Sequence, residues 1–156
     1  MRVALSLAAC AAVATFWTTA ASAAPIEVKG FKVTAKTWRV GEAKGKTYLD
    51  VQFMGTVVDA FDPKAMMHVK AECKVGSAEL VDEAMVFGAT KLKEMKAGQS
   101  TKLNALVYGV RNALDAVPSR CTLIVTSSVG FGPKKQTSTL ATACWTGKAV
   151  QNGACK

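Results

Sequence analysis

The segment HVKAECKV, residues 68–75, alternates without a break, with His68, Lys70, Glu72 and Lys74 on one side and Val69, Ala71, Cys73 and Val75 on the other. Strict period-two alternation is the pattern of a strand that buries one face, and it places Cys73 with the inward set. The same period recurs along most of the chain. TYLDVQFMGTVVDA sets Leu49, Val51, Phe53, Gly55 and Val57 against Asp50, Gln52 and Thr56. FKVTAKTWRV sets Phe31, Val33 and Ala35 against Lys32, Thr34, Lys36 and Trp38. STKLNALVY alternates Leu103, Ala105 and Val107, and RCTLIVTSSV alternates Cys121, Leu123 and Val125. GFGPKK marks a turn before a last strand, KQTSTLATAC. Between residues 110 and 120, Asn112 is placed to cap one helical turn that Pro118 stops. SAELVDEAMVF suits a helix and a strand; its strand neighbours make a strand the expectation. About seven or eight short strands with almost no helix predict an all-β antiparallel sandwich.

MKAGQSTKLNALVYGV followed by VPSRCTLIV resembles the turn, edge strand, proline and Cys-x-Leu-x-Val strand of immunoglobulin-like and fibronectin-like accessory domains of secreted bacterial proteins. The resemblance covers the latter third of the chain. Such domains bind or space rather than catalyse, so it implies a fold and no activity. The strand holding Cys73 has no tryptophan, which departs from antibody-type domains.

The first residues carry Arg2, then an apolar and small stretch, then Ala21-Ser22-Ala23, the form of a secretory signal peptide cleaved after Ala23. Thr15, Thr18, Thr19 and Ser22 interrupt the stretch, which falls short of the roughly 20 residues a spanning helix needs. Leu7-Ala8-Ala9-Cys10 also has the form of a lipoprotein box, but the apolar run continues past Cys10. Residues 24–156 show no repeat, low-complexity tract or linker, and read as a single domain. Loss of Arg2 lowers the formal charge from +9 to +8. That favours anionic surroundings, an envelope glycan or lipid or an acidic protein. Export removes nucleic acid from consideration. The alanine-rich leader and the absence of an Asn-x-Ser/Thr sequon point to a bacterial periplasm or secretion.

Cys73, Cys121, Cys144 and Cys155 form an even set in an exported chain, hence two disulfides and three connectivities. A turn centred on residues 132 and 133 makes hairpin partners sum to 265, setting Cys121 opposite Cys144, Leu123 opposite Thr142 and Val125 opposite Leu140. That register permits Cys121–Cys144 with Cys73–Cys155. Cys73–Cys121 with Cys144–Cys155 needs no special register, because Gly147 and Gly153 can bend the small second loop, and it is the expectation.

The search for chemistry returns little. His68 is the only histidine and lies on a polar strand face. Oxidised cysteines supply neither a thiolate nucleophile nor a zinc site. No Gly-x-Ser-x-Gly or phosphate-cradling glycine loop occurs. Asp59 and Asp62 read as turn residues before Pro63 more readily than as a calcium loop. Met66 and His68 share one strand face and combine thioether and imidazole, donors suited to copper. Lys32, Lys36 and Trp38 on the polar face of the first strand are candidates for holding an anionic sugar; Trp145 and Lys148 are candidates in a tail clasp. The expected function is a non-enzymatic, cofactor-free, exported binding module with a basic surface. An inhibitor or immunity protein for an acidic target and a periplasmic copper carrier are the alternatives.

Overall fold

A computed structural model describes residues 24–37, 47–107 and 118–156. Residues 1–23, Trp38 and the turn proposed at Asn112 lie outside them. The elements run β1 (Ile26–Thr37), β2 (Thr47–Val57), β3 (Met66–Val75), β4 (Ala78–Met85), α1 (Ala89–Leu92), β5 (Ser100–Val107), β6 (Arg120–Val129), β7 (Gln136–Trp145) and β8 (Val150–Asn152). All strand pairs are antiparallel, in a three-stranded sheet ordered β1-β2-β5 and a five-stranded sheet ordered β4-β3-β6-β7-β8. This is the immunoglobulin-like order A-B-E against C′-C-F-G, with β8 added outside the last strand.

The alternating sets place the core between the sheets. Val51, Phe53 and Leu103 of the small sheet face Met67, Val69, Leu123 and Val125 of the large one, all at most 2 % exposed. Each such side chain contributes about 1.5–3 kcal/mol by leaving water. Gly55 belongs to the same inward face for a steric reason: a Cβ there would lie 2.7 Å from Leu103 Cδ1. The segment that suited two readings is a strand. Val75 pairs with Ala78 across the two-residue turn Gly76-Ser77, with Gly76 at φ +59°, a positive-φ hairpin turn that aligns β4 on β3. The one-turn helix α1 was not legible beforehand; it buries Ala89 and Leu92.

Two strands change phase. In β1 the register shifts between Lys29 and Lys32, at Gly30 with φ +66°. Ile26 and Val28 point inward before the shift, and Phe31, Val33 and Ala35 turn toward the core after it, so the apolar set stays on one face. In β7 the shift falls at Leu140. Thr126 pairs with Thr139, whereas Val125 pairs with Ala141, leaving Leu140 as the extra residue of a β-bulge. The partners near the turn sum to 265 as expected; those beyond the bulge sum to 266.

That single residue decides which cysteines meet. Beyond the bulge Cys121 faces Trp145, and Cys144 faces Thr122 on the outer surface. A one-residue slip exchanges the two faces of a strand, so Cys121–Cys144 is ruled out. Cys73 and Cys121 are directly opposite on β3 and β6, with Cα atoms 4.0 Å apart, and are bonded. Cys144 bonds Cys155, with Cα atoms 4.8 Å apart. The expected connectivity therefore holds. The first bond lies within one sheet, where immunoglobulin domains bridge two. One inward row reads Leu80, Cys73, Cys121, Trp145 and Val150 across all five strands. The tryptophan missing from the strand of Cys73 thus reaches the disulfide's row from β7.

Candidate functional site

The outer face of the three-stranded sheet gathers lysines from two strands. Antiparallel partners point to the same side of a sheet, so Lys29 stands in a row with Met54 and Lys102, and Lys32 in a row with Gln52 and Asn104. Lys36 stands one row beyond Thr34 and Asp50. The glycine bulge in β1 makes this possible, because it brings Lys29 and Lys32, three residues apart, onto one face. Gly30, Lys32, Gln52, Met54, Lys102 and Asn104 border a shallow depression of about 410 Å³.

These lysines are not equivalent. Lys29 Nζ lies 2.7 Å from Glu27 Oε1 on the same strand. Lys36 Nζ donates to Asp50 Oδ2 at 2.6 Å, and Gln52 Nε2 donates to the same oxygen at 3.2 Å. The hydrogen bond and the charge of Asp50 hold the Lys36 pKa above its ordinary value. Asp50 is only 6 % exposed although it belongs to the outward set. Lys36 is thus committed to a buried carboxylate, while Lys32 and Lys102 make no ion pair among the described residues. Two uncommitted cations beside two side-chain amides can take up an anion with both charge and hydrogen bonds.

Of the residues singled out from the sequence, Lys32 and Lys36 therefore share a face, and Trp38 lies outside the described residues. Lys102 and Asn104 were missed. Their alternation in STKLNALVY marked them as outward, but only the β2–β5 pairing shows that they neighbour Lys32 and Gln52.

Trp145 is not an exposed anchor. It is 3 % exposed and belongs to the core, because the bulge at Leu140 turns it inward. Lys148 is exposed in the turn between β7 and β8 of the large sheet, whereas the lysine face belongs to the small one. The tail clasp forms on the outer surface of the large sheet, where the Cys155 N–H donates to Thr122 Oγ1 at 3.1 Å and Arg120 donates to the Lys156 carbonyl. A groove of about 350 Å³ beside it mixes Glu72 and Glu79 with Lys74 and Arg120, so it carries no single charge preference.

Asp59 and Asp62 serve their own loop, accepting the N–H of Ala60 and of Lys64, each at 2.7 Å. Met66 and His68 do share the outer face of β3, and Met67 is buried. Among the described residues no three His, Cys, Asp or Glu side chains are grouped to hold a metal ion. No helix among them is long and apolar enough to cross a membrane. The two disulfides indicate an oxidising, extracytoplasmic compartment. No protein-family model, curated protein or solved structure matches the chain.

Proposed function

We propose that the protein is a non-enzymatic, exported binding module of the immunoglobulin-like accessory kind, which uses the outer face of its three-stranded sheet to contact an anionic envelope glycan or lipid, or an acidic protein. The observation that carries this reading is the pair Lys32 and Lys102, without an ion pair among the described residues and set beside Gln52 and Asn104 around the depression. The formal charge of +9 for the whole chain works in the same direction, raising the local concentration of anions before contact. The assignment as non-enzymatic rests on the residue inventory. The only histidine is His68, and the four cysteines of residues 24–156 are consumed in disulfides.

Sedimentation of the purified protein with anionic and with neutral vesicles, and with anionic envelope polysaccharide, tests the reading. Binding is expected to anionic material alone, to fall steeply between low and moderate salt as screening shortens to about 8–10 Å, and to be lost in Lys32→Glu/Lys102→Glu. Binding that is indifferent to salt, or unchanged in the double variant, rejects the lysine face as the contact surface.

A further inference from the structure

The outer surface of the five-stranded sheet holds a second constellation, independent of the lysine face. His68 on β3 stands directly opposite Met85 on β4. Met66, two residues before His68, points to the same side. Directly opposed residues have Cβ atoms about 4.5–5.5 Å apart, and diagonal neighbours about 7–8 Å. Methionine has three rotatable side-chain bonds, so two thioethers and the imidazole can converge on a single point. Met85 is 59 % exposed, so its thioether is open to an ion arriving from solvent.

Two polar atoms around this trio have no hydrogen-bond partner among the described residues. His68 Nδ1 is buried and makes no hydrogen bond, and Glu83 Oε1 lies 3.8 Å from it, beyond hydrogen-bond reach. Ser128, opposite Met66 and 1 % exposed, has an unpartnered hydroxyl. Three side-chain atoms are buried without a partner among the described residues, and two of them flank Met66. Buried polar groups without a protein partner are uncommon, and a bound ion is one of the things that accounts for them.

We infer that Met66, His68 and Met85 form a binding site for a monovalent soft metal ion, copper(I). Two thioethers and one imidazole suit a soft cation that accepts low coordination; magnesium, calcium and manganese prefer oxygen donors, and structural zinc sites draw on thiolate or several imidazoles. One imidazole nitrogen takes the metal. Glu83, its carboxylate 3.8 Å from the ring, offsets the charge of the ion, as outer carboxylates do for histidine ligands. Binding here changes no oxidation state and requires no group from the other sheet.

Anaerobic titration of the disulfide-intact protein with copper(I), in competition with a chromophoric chelator, reads the site directly. One equivalent is expected to be withdrawn from the chelator, with X-ray absorption showing sulfur and nitrogen around the metal. Silver(I), a redox-inert substitute, is expected to shift the methyl signals of Met66 and Met85 and leave those of Met54 and Met67 in place. His68→Ala and the volume-conserving pair Met66→Leu/Met85→Leu are expected to abolish competition with the circular dichroism spectrum unchanged, Met54→Leu to have no effect, and Glu83→Gln to weaken binding by about tenfold. Failure to withdraw copper(I), or uptake that survives His68→Ala or the double methionine change, overturns the inference.

Discussion

Replacing Trp145 by alanine tests the central structural claim, that the bulge at Leu140 turns this side chain into the core. Trp145 is 3 % exposed, so folding hides almost its whole surface. An aromatic side chain of this kind buries about 150–250 Å², and at about 25 cal/mol/Å² that transfer is worth about 4–6 kcal/mol as an upper bound. Measured tryptophan and phenylalanine truncations in cores cost about 3–5 kcal/mol, so we expect about 4 kcal/mol for Trp145→Ala. A small domain has about 5–15 kcal/mol in total, so the change removes a quarter or more of the stability. With a denaturant slope of about 2 kcal/mol/M, the urea midpoint falls by about 2 M. The assay is equilibrium unfolding of the disulfide-intact protein followed by far-ultraviolet circular dichroism, since a fluorescence probe would be lost with the residue. Trp145→Phe, which keeps a ring in the row beside Cys121, is expected to recover more than half of the loss. A cost below about 0.5 kcal/mol, the range of ordinary surface changes, would mean that Trp145 lies outside the core and that the bulge is misplaced.

Three further outcomes follow from the geometry. Removing Cys73–Cys121, which spans 48 residues, is expected to cost about 4 kcal/mol, and removing Cys144–Cys155, which spans 11, about 3 kcal/mol, as paired alanine variants in thermal unfolding; the reverse order would refute loop closure as the source. The raised pKa of Lys36 gives its pair with Asp50 a defined pH window. The contribution is complete below the ordinary lysine value of 10.5 and is lost as the pH rises through the higher folded value, so the advantage of wild type over Lys36→Met should be flat at neutral pH and vanish at strongly alkaline pH. Gly130→Ala should cost about 2–3 kcal/mol, because φ is +84° and the added Cβ would meet the Lys134 carbonyl oxygen at 2.9 Å; Gly76→Ala, at φ +59° in open space, should cost only about 1 kcal/mol.

Much of the sandwich was legible because its strands each bury one face, and period two is visible in a single segment. The inward sets of β2, β3, β5 and β6 are those read from alternation. The bulges were not legible, since a bulge is a relation between two strands. Leu140 looks like any other apolar residue until Val125, its partner in an unbroken register, is seen to face Ala141. Misplacing that residue by one step was enough to leave the disulfide pairing open and to leave Trp145 a surface candidate. The lysine face was half legible for a similar reason: Lys32 and Lys36 share a strand, but Lys102 joins them only through β2. Likewise Met66 and His68 were adjacent in the alternation, whereas Met85 reaches them through the Gly76-Ser77 hairpin.

The tail clasp has a mechanical consequence. Strand β8 lies wholly within the loop closed by Cys144 and Cys155. A tension applied at Lys156 passes through the sulfur bridge into the end of β7, and β8 carries none of it. The load then falls on the ladder between β7 and β6, and from Cys121 a second sulfur bridge leads on to β3. With both bridges intact, a pull on this end meets the middle of the sheet at once, rather than peeling a three-residue edge strand first.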